Sequence, residues 1–170
     1  GAGRLLGNEQ ISRSIYGTGT YTFGKTGISM TFNSEDVDTV TVEVRRDTFP
    51  TDQFGDAVVR RYYDINTSGG TGAFNADVTF SYDPAELNGQ TAASLQMFRY
   101  DGASWQAEGG TVDVPNSQVT VTGVTEFSPW LFGGGATPTA IGLTAASGEM
   151  NGSVWAMLAV LMMGLVMTTA

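Results

Sequence analysis

Thr39-Val40-Thr41-Val42-Glu43-Val44-Arg45-Arg46 is the stretch of sequence that decides the fold. Its three valines occupy alternate positions, and polar residues stand between them. A period of two is the pattern of a β-strand that has one face in a core and the other toward solvent. We therefore predict a strand over residues 39–46 whose valines are buried.

The same alternation recurs further along the chain. Val78, Phe80 and Tyr82 alternate with Thr79 and Ser81, and the run from Val119 to Thr122 repeats the pattern. We expect these apolar faces to meet the valine face of residues 39–46 in one core. Other strand-like runs lie at Tyr21–Phe23, Ile28–Phe32, Val58–Ile65, Leu95–Tyr100, Ser104–Gln106 and Thr111–Val114.

Turn-forming residues separate these runs. Asp101-Gly102 is the strongest hairpin signal, and Asn88-Gly89 and Asp83-Pro84 also favour chain reversals. Roughly eight to ten strands joined in this way predict an all-β fold, an antiparallel, Ig-like β-sandwich over residues 18–132. We expect residues 1–17 to be a lead-in, residues 47–56 to be a long loop, and residues 83–87 to form one helical turn.

The composition changes after Phe132. Repeated glycine and a proline predict a flexible linker over residues 133–149. No charge follows in residues 150–170, about the 20 residues that cross a bilayer core as a helix. We therefore predict one transmembrane helix there, with membrane-spanning positions Val154, Trp155, Leu158, Leu161, Gly164 and Leu165.

Two other interpretations of the apolar tail stay open, a buried core helix and a signal that is removed, because the strictly apolar part, Val154–Met167, is shorter than a typical span. A transmembrane helix would leave the β domain on the extracytoplasmic side, periplasmic or at the cell surface. No Lys or Arg follows the apolar run. A helix without basic anchors suits contact with neighbouring membrane proteins.

The charge and composition exclude several classes of function. The chain has 8 Lys and Arg against 17 Asp and Glu, a net charge of -9, which disfavours nucleic acid as a partner. It has no cysteine and no histidine, so thiolate nucleophiles, disulfides and the commonest acid-base catalyst and metal ligand are missing. We therefore predict that the chain is not an enzyme and takes no cofactor, and we identify no small-molecule substrate.

Most of the chain, from about Thr20 to Leu143, resembles a known kind of module. The similarity lies in the segments Arg61–Ile65, Val78–Tyr82, Ala85–Asn88, Leu95–Trp105, Gly109–Asp113, Val119–Trp130 and Pro138–Leu143. These resemble the β-sandwich module that closes many large bacterial cell-surface proteins, with its linker and hydrophobic anchor. The resemblance implies an exported structural or adhesive role and supplies no catalytic residue. The tail departs from the family's pattern because it lacks a basic terminus.

Carboxylates are the candidate metal ligands. Asp47, Asp52 and Asp56 stand in the predicted long loop, and oxygen ligands in loops suit calcium. Two further acidic groups lie at residues 35–38 and 83–86. None has EF-hand spacing, and we favour the interpretation that they are solvated turn residues of an acidic surface. A carboxylate pair that includes Asp47 or Asp52 would also be the requirement of a glycoside hydrolase.

Three other groups of residues suggest interactions. Arg45-Arg46 and Arg60-Arg61 predict either a positive spot or edge-strand charges that prevent unwanted pairing. Aromatic residues predict either a sugar-binding face or core positions, and they are Tyr62, Tyr63, Phe98, Tyr100, Trp105, Phe127 and Trp130. Asn66-Thr67-Ser68 and Asn151-Gly152-Ser153 match the N-glycosylation motif, which matters only in a cell that has the machinery.

These observations leave three classes of function. The first is a membrane-anchored structural or interaction module of a bacterial surface protein. The second is an accessory single-helix subunit of a multisubunit membrane complex, for example a photosynthetic or respiratory one. The third is a filament subunit whose apolar tail packs in the assembly core. The predicted partners are membrane lipid and other membrane or surface proteins.

Overall fold

The computed structural model describes residues 8–46 and 58–134, and these form two antiparallel sheets. The strands are β1 (Glu9–Ser14), β2 (Gly19–Thr22), β3 (Ile28–Glu35), β4 (Thr39–Arg46), β5 (Val58–Ser68), β6 (Phe74–Ser81), β7 (Leu95–Tyr100), β8 (Trp105–Gly109), β9 (Thr111–Asp113), β10 (Gln118–Val124) and β11 (Pro129–Gly134). Sheet A has the order β1-β4-β5-β11-β7-β8, and sheet B has the order β2-β3-β6-β10-β9. The predicted all-β fold class is confirmed. Short 3-10 turns at Gly24–Thr26, Pro84–Glu86 and Ala92–Ser94 complete the described elements.

One core lies between the two sheets. Val40, Val42 and Val44 are fully buried, as their alternation predicts. The apolar faces of β4, β6 and β10 all contribute to this core. Phe80 of sheet B and Tyr63 of sheet A lie in ring contact, with 5.3 Å between their centroids. The prediction that these alternating faces meet is therefore confirmed.

The described domain extends beyond the predicted limits of residues 18–132 at both ends. Residues 9–14, predicted to be a lead-in, form β1 and pair with β4 in antiparallel register. Ile11 is the single large apolar residue of this polar edge strand, so alternation gives little signal there. At the other end, β11 continues to Gly134 and so includes two residues of the predicted linker. The described residues therefore form eleven strands where eight to ten were expected.

β11 lies in the middle of sheet A and is apolar on both faces. Trp130 and Phe132 are buried in the core between the sheets. Leu131 lies on the opposite face of sheet A and is buried with Phe98 and Trp105. A strand that is buried on both faces loses the polar half of the alternating pattern, which is why this segment does not read as a strand from its sequence.

Both ends of the described chain lie at one end of sheet A. The backbone N–H of Arg46, the last residue of β4, donates to the side chain of Asn8 at 3.2 Å. Arg46 lies opposite Arg61 near the start of β5, and Gly133 of β11 lies opposite Val58, the first residue of β5. We call this the connection end. Since three strand spacings separate β1 from β11, the two chain ends are about 14 Å apart.

Several predictions fall outside the described residues. These are the long loop at residues 47–56 with Asp47, Asp52 and Asp56, the linker from residue 135, and the membrane-spanning positions Val154, Trp155, Leu158, Leu161, Gly164 and Leu165. Within residues 8–46 and 58–134, no helix is long and apolar enough to cross a membrane.

Candidate functional site

The core faces of β4 and β5 end in two opposed arginines at the connection end. Arg46 continues the inward face of Val40, Val42 and Val44, and Arg61 lies directly opposite it in the register of the two strands. Like charges placed opposite each other in a sheet are destabilising unless an anion lies between them. The arrangement therefore requires a counter-ion.

Glu86 supplies that counter-ion. Its Oε1 lies 2.6 Å from Nη2 of Arg46, and its Oε2 lies 2.9 Å from both Nη2 and Nε of Arg61. The three side chains are nearly closed to solvent, with exposed fractions of 11% for Arg46, 5% for Arg61 and 10% for Glu86. One buried carboxylate therefore compensates two guanidinium groups in what we call the arginine clamp, formed by Arg46, Arg61 and Glu86.

Local sequence places Glu86 where the clamp needs it. Asp83 precedes the 3-10 turn, and its Oδ1 accepts a hydrogen bond from the backbone N–H of Ala85 at 2.9 Å. Pro84 fixes the first residue of the turn, where a missing N–H costs nothing. The helical turn predicted at residues 83–87 is thus present as a 3-10 turn at Pro84–Glu86. It presents Glu86 to Arg46 and Arg61 in two interior strands of sheet A.

Tyr63 and Ser81 link the clamp to sheet B. Nη1 of Arg61 donates to the carbonyl oxygen of Ser81 at 3.0 Å, and the Tyr63 hydroxyl donates to the same oxygen at 2.9 Å. Burial raises the pKa of the Tyr63 phenol. Burial by itself would lower the pKa of the Arg61 guanidinium, but Tyr63 and Glu86 outweigh it, so that pKa is raised. The Arg61 guanidinium therefore stays charged at neutral pH, and its hydrogen bond to Ser81 joins the clamp to sheet B.

The two arginine pairs do not have the predicted edge-strand role. β4 lies between β1 and β5, and β5 lies between β4 and β11, so neither strand is an edge of sheet A. Arg45 points away from the core and pairs with Glu43 through Nε and Oε1 at 2.9 Å. The alternative of an open positive spot also fails for Arg46 and Arg61, because both are buried against Glu86.

The candidate sugar-binding aromatics are divided between the two faces of sheet A. Tyr63 and Trp130 belong to the core between the sheets. On the opposite face, Phe98 is fully buried and Trp105 is 6% exposed. These four side chains are buried in one cluster or the other, so a sugar ring cannot stack on them. Of the others, Tyr62 and Tyr100 pack against the cluster that holds Phe98 and Trp105, and Phe127 stacks on Phe74.

A small polar cavity opens where β10 ends, facing β7, β8 and β11 of sheet A. Its volume is about 120 Å³, and Arg99, Glu108, Glu126 and Trp130 form part of its wall. Nε of Arg99 lies 2.8 Å from Glu108 Oε1, and Nη1 lies 3.2 Å from Glu126 Oε2. The cavity therefore has a cation held between two carboxylates. No sequence pattern indicates it, because its residues come from four strands and a loop.

The acidic residues at positions 35–38 stabilise a contact between two loops. The Thr71 hydroxyl donates to a carboxylate oxygen of Asp36, and the backbone N–H of Gly72 donates to the Asp36 carbonyl at 3.0 Å. A Cβ at Gly70, where φ is +61°, would lie 2.1 Å from that carbonyl, so only glycine fits there. Within the described ranges, no group of three or more acidic side chains is placed to hold a metal ion.

No known protein family, curated protein or solved structure matches this chain. The resemblance to the bacterial surface module therefore remains a prediction.

Asp101 begins the predicted hairpin turn between β7 and β8 and organises it. Its Oδ1 accepts hydrogen bonds from the backbone N–H groups of Ala103 and Ser104, both at 2.8 Å, and its Oδ2 accepts from Gln106 at 2.9 Å. These hydrogen bonds, those from Ser104 and Ala103 foremost, lower the pKa of Asp101 from 3.8 to about 2. The hairpin predicted from Asp101-Gly102 is confirmed, and its aspartate is charged at neutral pH.

We expect the Asp101 carboxylate to make the domain acid-sensitive. Because its pKa is lower in the folded state, its contribution to stability is complete above about pH 5 and is lost as the pH falls toward 2. The measurement is urea unfolding between pH 2 and 6 for the wild type and Asp101→Asn. The variant should lose less stability than the wild type over this range. Equal losses in both proteins would contradict the assignment.

Proposed function

We propose that this chain is a non-catalytic, membrane-anchored module that presents an extracytoplasmic domain on a bacterial cell surface. In this proposal the two sheets form an Ig-like sandwich, and residues 150–170 form the transmembrane helix. The observation that carries it is the position of both chain connections at one end of sheet A. In such a domain, no connection to the rest of the chain leaves from the opposite end.

The opposite end of the domain is built from turns. These include the β3–β4 turn, the β5–β6 loop and the β7–β8 hairpin, which lie at the strand ends away from the connection end. Surface turns on a rigid scaffold are where proteins commonly make contacts. An anchor that follows β11 would attach the connection end and leave these turns for contact with other molecules.

The arginine clamp supports the same role. It lies at the connection end, where it joins β4, β5 and the Pro84–Glu86 turn, and Arg61 reaches the Ser81 carbonyl at the end of β6. Buried charged groups are costly to separate once they are paired. The clamp therefore holds these elements together at the end of the domain that would face the anchor. Its charged side chains are paired with one another, so they are not available as catalytic groups.

Geometry also favours presentation over an in-line load-bearing link. Because β1 and β11 are reached from the same end of sheet A, tension between the two connections would peel β1 from β4. Hydrogen bonds perpendicular to the strands would then break one after another. In a load-bearing domain the two chain connections would lie at opposite ends of the sheet. Tension would then pull along the strands, and many hydrogen bonds would resist it at the same time.

Cysteine labelling tests the proposal because the natural chain has no cysteine. Ala103→Cys places a thiol in the exposed β7–β8 turn, away from the connection end. We expect a membrane-impermeant maleimide to label this variant in intact cells that express the full chain, and the unmodified chain to give no signal. Deletion of residues 150–170 should move the protein from the membrane fraction to the soluble fraction.

Other outcomes would overturn the proposal. Labelling only after cell lysis would show that the domain is not exposed at the cell surface. A variant without residues 150–170 that still fractionates with membranes would show that this tail is not the anchor. Mild detergent extraction distinguishes the remaining classes. Stoichiometric recovery with integral proteins would indicate an accessory subunit, and detergent-resistant fibres would indicate a filament subunit.

A further inference from the structure

Strand β1 is an edge of sheet A, and its outer backbone groups have no strand partner among the described residues. The edge strands of the two described sheets are β1, β8, β2 and β9. β1 has six residues, whereas β2 has four and β9 has three. The five-residue β8 pairs with β7 through a register shift. Short or irregular edges resist pairing with another strand, so β1 is the edge best suited to accept one.

The side chains of β1 that point toward sheet B have a symmetrical order. Ile11, near the middle of the strand, is partly buried and packs against the core. Glu9 lies two residues before it and Arg13 two residues after it, so all three share that face. Neither charged side chain forms an ion pair with another residue of the described ranges. The inner face of this edge therefore presents an acid, an apolar residue and a base in sequence.

A second β1 that runs antiparallel to the first completes this order. With a two-fold axis at Ile11, Glu9 of one copy lies opposite Arg13 of the other, and the same pair forms again beyond the axis. Opposite charges placed across two strands stabilise their pairing. The two Ile11 side chains meet at the axis and cover apolar surface that a single domain leaves exposed. A register shift of two residues would place a charged side chain opposite Ile11, so the sequence of β1 favours one register.

We propose that β1 is an interface at which two copies of this chain join their A sheets. The same surface serves both copies, which is the usual form of a symmetric protein dimer. An unpaired charge that points inward on an edge strand normally prevents such pairing, but here each charge meets its opposite in the second copy. This pairing goes beyond the proposed function and does not depend on membrane anchoring.

The direction of the pairing has a consequence for anchored copies. β1 starts at the connection end, so an antiparallel pair has its two connection ends at opposite ends of the dimer. Copies that are anchored by their connection ends would therefore pair from two facing surfaces. This consequence rests on the proposed function, whereas dimerisation in detergent tests the interface by itself.

Disulfide cross-linking tests the register, since the natural chain has no cysteine. Gln10 and Ser12 are exposed, point away from sheet B and lie opposite each other across the proposed axis. Gln10→Cys and Ser12→Cys full chains with different tags, co-expressed and oxidised in mild detergent, should form a mixed disulfide dimer. In the matched control, Ser14→Cys replaces Ser12→Cys. Its Cα would lie about 8 Å from that of residue 10, beyond the reach of a disulfide, so we expect little cross-linking.

Charge exchange tests the two ion pairs of the interface. Glu9→Arg places two arginines opposite each other on both sides of the axis, and Arg13→Glu places two glutamates there. Each variant should dimerise about tenfold more weakly in sedimentation equilibrium of the full chain in density-matched detergent. The double variant Glu9→Arg/Arg13→Glu restores opposite charges and should dimerise as the wild type does. Such a rescue distinguishes the interface from a loss of folding.

Three results would overturn the proposal. The first is a wild type that stays monomeric up to about 0.3 mM. The second is equal cross-linking of Gln10→Cys with Ser12→Cys and with Ser14→Cys. The third is a double charge variant that dimerises no better than either single variant.

Discussion

Glu86→Gln is expected to lower the free energy of unfolding by about 3–5 kcal/mol, because it leaves two buried guanidinium groups without their anion. The Glu86 side chain is 10% exposed, and its two oxygens contact Arg46 and Arg61 separately. Glutamine keeps the shape of the side chain and removes the charge, so the loss measures the missing counter-ion and little lost packing. Urea unfolding of the full chain in mild detergent, followed by tryptophan fluorescence, measures the change.

Glu43→Gln is the matched control for Glu86→Gln. Glu43 also pairs with an arginine, Arg45, but the exposed side-chain fractions are 29% and 41%. The arginine hydrogen bond lowers the pKa of Glu43, yet solvent screens an ion pair of this kind. Exposed pairs contribute about 0.2–1 kcal/mol. A loss in Glu86→Gln no larger than the loss in Glu43→Gln would show that the arginine clamp does not stabilise the domain.

Phe80→Ala is expected to destabilise the domain by a similar amount, about 3–5 kcal/mol, through a cavity at the centre of the core. Phe80 is fully buried in β6 and contacts three rings of sheet A. Its centroid lies 5.3 Å from that of Tyr63, 5.4 Å from that of Trp130 and 6.2 Å from that of Phe132. Strands on both sides are fixed by their own hydrogen bonds, so the space cannot collapse fully. The same urea experiment measures the loss.

Tyr16→Ala provides the comparison for Phe80→Ala. It also removes an aromatic ring, but Tyr16 is 88% exposed. Surface substitutions of this kind usually change stability by about 0.5 kcal/mol or less. If both variants unfold at the same urea concentration, Phe80 does not occupy the central position that the two sheets give it.

Local patterns in the sequence predict the strands that are buried on one face. The alternating valines of β4 and the Asp101-Gly102 turn lead to the elements that the structure contains. The same method misses β1, where Ile11 alone marks the inward face, and β11, where both faces are apolar. Alternation reports burial on one face, so it fails where a strand has two polar faces or two buried ones.

Candidate site residues show the same division. Glu86 and Asp83 look alike in the sequence as carboxylates of a turn. In the structure, Asp83 caps its own turn, while Glu86 joins arginines that lie 40 and 25 residues earlier in the chain. In the sequence, nothing distinguishes Trp130 from the other aromatic residues. Only the arrangement of β7, β8, β10 and β11 places it near Arg99 and Glu108.

The sequence by itself determined the all-β class, most strand positions and the turns between them, because these depend on neighbouring residues along the chain. It also determined the acidic charge and the absence of cysteine and histidine. Only the tertiary structure decided the strand order, the insertion of β11 between β5 and β7, and the arginine clamp. Strand partners depend on how strand faces pack between segments that are far apart in the chain. The alternation of apolar and polar residues within one strand carries no information about that pairing.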